Sequence, residues 1–462
     1  MYQNDTIIAL ATPSGAGAIA VIRLSGPDSI QMVDSVFKSI HTKKLSTQKT
    51  HTIHLGHIID ASRPLDEVLV SVFKNPTSYT GEDVIEISCH GSSYIQQEII
   101  QLFVRNGARI ANPGEFTLRA FLNAKLDLSQ AEAVADLIAS DNKASHQIAM
   151  QQMRGGFSNE IKALRDELLN FASLIELELD FSEEDVEFAD RKQFENLVTR
   201  ISSVLKHLID SFSTGNVIKN GIPISIIGAP NVGKSTLLNA LLNEDKAIVS
   251  AIAGTTRDAI EDELTIEGIK FRFIDTAGIR NTDDTIESIG IKKTFEKITQ
   301  SQVVLYLLDA SKVSTQTVQD FNTDIRKIQE HYPDKQLIVV ANKMDQADKA
   351  FIESSFVYPH TLYTSAKSGL GIDTLKTKLL EFVNTGALRN NDTIITNSRH
   401  YDSLLKALAE VQKVKQGMDA KLSGDLLAID IRQALYHFGE ITGEITSDDL
   451  LGNIFANFCI GK

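Results

Sequence analysis

Apolar positions follow a strand-like pattern in the first segment of the chain. Up to about residue 122, short apolar runs alternate with Gly, Pro and Ser turns, as at 18–24, 68–73 and 84–88, which predicts strands. Residues 96–105 have the spacing of an amphipathic helix instead. These patterns predict an N-terminal α+β domain over residues 1–122.

Two further segments, 123–219 and 383–462, have helical periodicity. No proline lies between Pro113 and Pro223 or after Pro359, which permits long helices in both. The run from Ser129 to Glu132 fits a capping box, which predicts a helix that starts there. The two segments are expected to form one all-α helical domain.

The segment between them, residues 220–382, alternates buried-type strands with helices. Its apolar runs are ISIIG, FRFIDT, VVLYLLD and LIVVANK. Such alternation predicts a doubly wound α/β domain with a mostly parallel sheet. Its place between two helical segments predicts a domain inserted into the helical one.

Composition narrows the class of protein. Of 462 residues, 46 are basic and 60 acidic, so the net charge is −14, which argues against strong non-specific binding to nucleic acid or anionic membranes. Cys89 and Cys459 lie far apart and make no metal-type spacing. The N-terminus does not resemble a secretory signal, and no apolar run approaches the roughly 18 residues of a membrane span. We expect a cytoplasmic protein without a membrane span.

A phosphate-binding loop follows the first strand of the α/β segment. The run GAPNVGKS from Gly228 to Ser235 matches the P-loop pattern, in which backbone amides and a helix N-terminus surround phosphates. Lys234 is expected to neutralise the β- and γ-phosphates, and the Ser235 hydroxyl to bind Mg²⁺. The segment is therefore predicted to be a P-loop nucleotide-binding domain.

Two shorter motifs fit the γ-phosphate side. In DTAG, Asp275 is expected to hold Mg²⁺ through water and the Gly278 amide to contact the γ-phosphate. In GTTRD, Thr256 is placed to complete the Mg²⁺ shell. Ile279 stands where many GTPases carry the glutamine that orients the attacking water, so other groups must do this.

Two motifs fit the base. In NKMD, the Asp345 carboxylate can accept guanine N1–H and the exocyclic amine, and adenine cannot offer that pair of donors. The run SAK at 365–367 suits a loop on the other side of the base. The order of the four motifs predicts GTP as the nucleotide. The predicted GTP-binding residues are Asn231, Val232, Gly233, Lys234, Ser235, Thr236, Ser250, Ala251, Ile252, Ala253, Gly254, Thr255, Thr256, Asp275, Thr276, Ala277, Gly278, Asn342, Lys343, Met344, Asp345, Ser365, Ala366 and Lys367.

These motifs, with others along the whole chain, resemble those of the MnmE (TrmE) family of tRNA-modification GTPases. The resemblance includes DTIIALATP near the N-terminus, YTGEDVIE, PGEFTLRAFLNAKLDL, ITGEITSDDLLG and the final FCIGK. The C-x-G-K ending is rather specific to this family among GTPases.

The resemblance implies a reaction and partners. Family members form homodimers through their N-terminal domains and pair with an FAD-dependent partner, MnmG (GidA), in a heterotetramer or larger assembly. Together they add an aminomethyl or carboxymethylaminomethyl group at carbon-5 of the tRNA wobble uridine. The one-carbon unit comes from a tetrahydrofolate, as the 5-formyl or 5,10-methylene derivative.

The resemblance also implies a potassium ion and a catalytic glutamate. The K⁺ ligands would be the Asn231 side chain and, by analogy, carbonyls of Ser250, Ile252 and Thr255. The cation would neutralise charge as an arginine finger does elsewhere. Glu287 matches the family glutamate that orients the attacking water. With Lys234, Thr256 and Gly278 it completes the expected catalytic set.

Folate residues are carried over in the same way. Arg23, Glu86, Lys125 and Lys462 match the family positions, with basic groups for the glutamate tail and a carboxylate for the pterin. Cys459 has a possible role in the modification, and a small buried residue is an equal alternative. Two other functions stay open for the chain: a ribosome-assembly GTPase and a regulatory switch whose hydrolysis is only a timer.

Overall fold

The computed structural model describes residues 5–180, 191–243, 262–274, 298–355, 358, 360–382 and 393–461. The chain forms two compact units. Unit 1 comprises Met1–Ala139, Ile148–His207 and Ser398–Lys462. Unit 2 comprises Ser140–Gln147 and Leu208–Asn397.

Unit 1 contains a seven-stranded sheet with the order β3-β4-β5-β6-β2-β1-β7. All neighbours are antiparallel except β1 and β7. The predicted strands are confirmed as β2, β5 and β6. The strands are β1 (Ile7–Leu10), β2 (Ile19–Ser25), β3 (Phe37–Ser39), β4 (Thr52–Asp60), β5 (Arg63–Phe73), β6 (Val84–His90) and β7 (Arg109–Ile110).

Within residues 5–122, three helices belong to this α+β part. They are α1 (Ser29–Val36), α2 (Ser93–Arg105) and α3 (Glu115–Leu122). Helices α1 and α2 pack against the sheet, and the core between them includes Ile22 and Phe103, both fully buried. Because side chains alternate along a strand, Arg23 of β2 and Glu86 of β6 lie on the opposite face of the sheet.

The remaining helices continue through both units. They are α4 (Leu128–Ala139), α5 (Lys143–Met153), α6 (Gly156–Asp180), α7 (Arg191–Asn220), α8 (Lys234–Asn243), α9 (Thr315–His331), α10 (Lys349–Ser355), α11 (Ile372–Glu381), α12 (Ser398–Asp419), α13 (Gly424–Thr442) and α14 (Asp448–Phe455). In unit 1, α13 packs against α4, α6 and α12, and α14 against α3. The helical character predicted on both sides of the α/β segment is confirmed.

The predicted capping box at the start of α4 is wrong by two residues. Ser129 lies inside the helix, and the carboxylate of Asp127 accepts the Gln130 amide at 2.9 Å. The Gln130 side chain accepts the Asp127 amide at 3.0 Å in return. Aspartate is as good a cap as serine, and Glu132 is drawn instead to Arg399 and His400.

Unit 2 contains a six-stranded sheet with the order β13-β12-β11-β8-β10-β9. Among the strand pairs that the structure describes in this sheet, only β9–β10 is antiparallel. Every residue of β11 is buried, as expected for a parallel strand covered on both faces. The doubly wound sheet, inserted between α7 and α12, is confirmed. Its strands are β8 (Ile222–Ile227), β9 (Asp262–Ile266), β10 (Ile269–Phe273), β11 (Val303–Asp309), β12 (Gln336–Asn342) and β13 (Thr361–Tyr363).

None of the helices in the described part of the chain is both long and apolar enough to cross a membrane.

Candidate functional site

The loop between β8 and α8 has the backbone that its glycines predict. Gly228 and Gly233 have φ of +150° and +99°. A Cβ on Gly228 would lie 2.3 Å from the Leu307 carbonyl oxygen, and one on Gly233 would lie 2.4 Å from Nδ2 of Asn342. Both positions therefore require glycine. Because α8 begins at Lys234, the loop ends at a helix N-terminus, and the backbone amides there favour the binding of anions.

Lys234 and Asn231 lie on this loop. The ammonium of Lys234 donates to the carbonyls of Gly228 at 2.8 Å and Ala229 at 2.9 Å. Asn231 is exposed and left-handed, with φ of 61°, a conformation that asparagine tolerates better than most residues. Ser235 and Thr236 follow in the first turn of α8. The loop thus brings together the Lys234 cation, the polar side chains of residues 231, 235 and 236, and the amides of a helix N-terminus, as a phosphate site requires.

Asn342, the last residue of β12, joins the phosphate loop to the base loop. Its Nδ2 donates to the Val232 carbonyl at 3.0 Å. Its Oδ1 accepts the Ala366 amide at 3.0 Å and the Thr364 hydroxyl at 3.4 Å. All these groups are buried, so the two loops are held in a fixed relation.

Lys343 strengthens the same connection. Its backbone is left-handed, with φ of 65°, and its ammonium donates to the Asn231 carbonyl at 2.8 Å and to Asp309 at 2.6 Å. Burial raises the pKa of Asp309, but hydrogen bonds from Lys343 and Ser311 outweigh it and lower the pKa below its ordinary value. Sequence reasoning missed Asp309. A charged residue at the end of the apolar run VVLYLLD was the available signal.

The Asp345 carboxylate is able to accept hydrogen bonds from the N–H groups of a base. It lies in a 3₁₀ turn, Met344–Gln346, and its carboxylate accepts the Ser365 hydroxyl at 2.6 Å and the Gln346 amide at 3.3 Å. The Ser365 hydrogen bond is the main cause that lowers the pKa of Asp345. An ionised carboxylate with solvent access is what recognition of guanine N–H groups requires. Met344 is buried under the turn, and Lys367 is exposed beside it.

The structure therefore brings together the predicted residues of three motifs: 231–236, 342–345 and 365–367. The remaining predicted residues lie outside the described part of the chain. They are Ser250, Ala251, Ile252, Ala253, Gly254, Thr255, Thr256, Asp275, Thr276, Ala277, Gly278, Glu287 and Lys462.

In unit 1, Arg23 and Glu86 lie opposite each other on β2 and β6. The Arg23 guanidinium donates to Glu86 through Nε at 2.9 Å and Nη2 at 2.7 Å. It also lies 5.5 Å from the ring centre of Tyr79 and 5.6 Å from that of Phe116, within cation–π range. The side chains of Arg23 and Glu86 are 20% and 26% exposed, so a ligand can reach the pair.

The C-terminal tail returns to this pair. Nη1 of Arg23 lies 3.5 Å from the Gly461 carbonyl, and a Cβ on Gly461 would lie 2.2 Å from the Leu10 carbonyl oxygen. Cys459 is exposed, not buried, while its carbonyl accepts the Gly114 amide at 3.3 Å. Lys125 is exposed after α3, and no contact joins it to Arg23 within the described residues.

Comparison with known proteins covers the whole chain. Residues 6–125 match the family described as GTP-binding protein TrmE N-terminus, and residues 128–459 match the MnmE helical domain. A tRNA modification GTPase MnmE of Christiangramia forsetii is 67% identical, with 100% of both chains covered. The proteins of the same name from Flavobacterium johnsoniae and Bacteroides fragilis are 68% and 52% identical, also over 100% of both chains. The chain therefore belongs to the MnmE family of tRNA modification GTPases.

Proposed function

We propose that the chain is a potassium-dependent GTP hydrolase that acts in tRNA modification. With an FAD-dependent partner of the MnmG (GidA) kind, it would add an aminomethyl or carboxymethylaminomethyl group to carbon-5 of the wobble uridine. GTP hydrolysis itself follows from membership of a GTPase family. The potassium, the partner, the folate and the cytoplasmic location belong to the proposal, as do the domain limits at residues 122, 219 and 382.

One observation carries the nucleotide part of the proposal. The Asn342 side chain bonds both the phosphate loop and the 365–367 loop. Asp345 lies three residues beyond Asn342, with its carboxylate held by Ser365. A site that fixes phosphate-binding and base-binding loops to one residue suits a nucleotide that spans both. The carboxylate selects guanine, because adenine lacks the paired donors.

The proposal includes two cations at the phosphate loop. The Ser235 hydroxyl, in the first turn of α8, would bind Mg²⁺, and Thr256 would be the second protein ligand. The exposed Asn231 side chain offers an oxygen to K⁺, with carbonyls of Ser250, Ile252 and Thr255. The cations would supply positive charge beside the phosphates. Lys234 would bind the β- and γ-phosphates, the Gly278 amide would contact the γ-phosphate, and Glu287 would orient the attacking water.

The Arg23–Glu86 pair supports the folate part. A guanidinium and a carboxylate, both partly exposed and flanked by two aromatic rings, offer groups for the acidic tail and the pterin of a tetrahydrofolate. The Gly461 carbonyl lies 3.5 Å from Nη1 of Arg23, and Lys462, the next residue in the sequence, would complete the proposed set. Lys125 would act from the side of α3, and Cys459, which is exposed, is accessible for a part in the modification.

An uncovered apolar face on the N-terminal sheet supports a homodimer. Leu55 and Leu69 pair across β4 and β5 and are 38% and 46% exposed, and Ile53 is 66% exposed. Contiguous apolar residues on a sheet face usually mark an interface. A twofold dimer would cover the same face on both copies.

GTP turnover in K⁺ and in Na⁺ tests the hydrolytic part. We expect faster turnover in K⁺, because K⁺ would stabilise the charge of the transition state. Glu287→Ala should lower turnover at least about tenfold with nucleotide affinity little changed, as general-base and water-orienting groups contribute about this much or more. Equal rates in the two salts would remove the potassium mechanism, and near-normal turnover of the variant would remove the role of Glu287.

The regulatory-switch alternative predicts a different product outcome. Mass spectrometry of wobble nucleosides from cells that carry Glu287→Ala distinguishes this switch from a GTPase whose hydrolysis is coupled to tRNA modification. Loss of the modified uridine supports hydrolysis coupled to modification, and normal modification without hydrolysis favours the timer.

A further inference from the structure

One acid-free stretch of the N-terminal sequence contrasts with the acidic chain around it. Between Asp34 and Asp60 there are four lysines, four histidines and no carboxylate. The chain as a whole has a net charge of −14. A concentration of positive charge on an acidic protein creates a local field of the opposite sign.

The fold gathers these lysines at one edge of the sheet of unit 1. Lys38 lies on the edge strand β3, and Lys43, Lys44 and Lys49 lie on the connection through the 3₁₀ turn Leu45–Thr47 to β4. All four are exposed. Lys74 joins them, because its ammonium donates to the Ser46 carbonyl at 2.8 Å. We call Lys38, Lys43, Lys44, Lys49 and Lys74 the lysine surface.

The two carboxylates that flank the acid-free stretch in sequence, Asp34 and Asp60, bond to groups other than the lysines. Asp34 accepts the amides of Leu45 at 2.5 Å and Ser46 at 2.9 Å, which fixes the turn that carries the lysines. Asp60 pairs with Arg105 at 2.9 Å. Among the residues that the structure describes, no carboxylate forms an ion pair with any member of the lysine surface. Their charge is therefore available to a partner.

Three histidines lie beside the lysine surface, and one of them, His54, is affected by its charge. His54 on β4 is buried, and burial followed by the positive charge of Lys43 lowers its pKa. His51 and Thr50 lie beside the surface, where Thr50 bonds both the His51 ring at 3.0 Å and the Lys74 amide at 3.0 Å. His57 faces Lys38 across the strands and also has Glu67 at 3.4 Å.

We propose that the lysine surface binds the phosphate backbone of the tRNA substrate. The inference rests on the proposed function, which supplies the nucleic acid. Lysine binds phosphate as a point charge without reading sequence, which suits a contact that positions an RNA whose bases are handled elsewhere. The net charge of −14 opposes contact with a broad anionic membrane, whereas RNA offers a narrow line of phosphates to one patch.

The test removes three charges from the full-length chain. Lys43→Gln, Lys44→Gln and Lys49→Gln together should weaken binding of an unmodified tRNA transcript by about tenfold at moderate salt. The slope of log affinity against log KCl should fall by about two to three, and Lys44→Gln alone should lower it by about one. The triple Lys→Arg variant should bind like the wild type. GTP turnover without tRNA should stay at the wild-type rate in all of them.

A matched triple variant controls for net charge. Lys349, Lys406 and Lys413 are paired with Glu353, Asp402 and Glu410. Their replacement by Gln also takes the charge from −14 to −17, yet it should leave tRNA binding and its salt slope unchanged.

Three outcomes would overturn the proposal, and they differ. Equal tRNA affinity of the wild type and the lysine-surface triple variant removes the surface alone and leaves the proposed function standing. If the triple variant loses a binding to phosphatidylserine-containing vesicles that the wild type has, and its tRNA binding stays intact, the lysine surface binds a membrane and not RNA. If the wild-type chain binds no tRNA, the tRNA part of the proposed function fails together with this inference.

Discussion

The Asn342 amide uses both of its ends, and this explains why asparagine is needed there. It donates to the Val232 carbonyl and accepts the Ala366 amide, both in a buried setting. Aspartate could not donate, and it would leave the Val232 carbonyl without that hydrogen bond. The motif that contains Asn342 was predictable from the sequence, because the four nucleotide motifs occur in a fixed order.

Asp309 was not predictable in the same way. Its contact with Lys343 depends on the pairing of β11 with β12, which sets Asp309 opposite Asn342. Apolar runs predict both strands but not which strands are neighbours, so a residue whose partner is set by sheet order cannot be assigned from the pattern alone. Residues that belong to a nucleotide-binding motif were predictable, because the motif itself indicates their role.

Replacement of Asp309 tests this residue-scale connection. Asp309→Asn should weaken GDP binding by about tenfold, because a charge-assisted hydrogen bond is worth about 1.5–3 kcal/mol and Lys343 would keep only its weaker contacts. Fluorescent-nucleotide titration measures the change. Asp320→Asn, an exposed carboxylate on α9, is the control and should bind normally. Unchanged affinity of the Asp309 variant would show that Lys343 needs no acidic partner.

Among the helices, one buried carboxylate joins elements that are distant in sequence. Glu132 on α4 accepts Arg399 at 2.8 Å and His400 at 2.7 Å, both at the start of α12. Arg399 also donates to the carbonyls of Glu440 and Ile441 near the end of α13. The sequence predicted helices here, but it assigned Glu132 to a cap, since a local pattern cannot show a partner 267 residues away.

Glu132→Gln should destabilise unit 1 by about 3 kcal/mol, since a neutral amide would replace the buried carboxylate that the half-buried Arg399 and the buried His400 both contact. Burial raises the pKa of Glu132, but His400 and Arg399 outweigh it and lower the pKa from 4.5 to about 2. A lowered folded-state pKa stabilises the fold above the unfolded value and loses this effect as pH falls. The difference from wild type should therefore be full above pH 4.5 and shrink toward pH 2.

Urea unfolding at several pH values measures this difference. Glu195→Gln, which changes an exposed carboxylate on α7, is the control and should leave the unfolding midpoint unchanged. A pH-independent loss of stability in the Glu132 variant would contradict the ionic explanation.

At the scale of the whole molecule, the order of the units along the chain was largely predictable from the sequence. The assignment of one short segment to its unit was not. Ser140–Gln147 follows α4 in sequence yet belongs to unit 2. Within that unit Asp141 pairs with Lys270, and Lys143 lies against the turn at Gly268. Helical periodicity carries no information about such contacts, because they depend on charges and turns more than a hundred residues away.

Each unit also has its own hydrophobic core, and this leads to a prediction about unfolding. The cores around Ile22 and around Ile224 share no residue. The full-length chain should therefore unfold in two calorimetric transitions. GDP at about 100 times its dissociation constant should stabilise unit 2 by about 2.7 kcal/mol and raise one transition only. Lys234→Ala should reduce that shift, because it removes the cation of the phosphate loop, and Glu132→Gln should lower the other transition. A single transition that moves as a whole with GDP would mean that the two cores unfold as one.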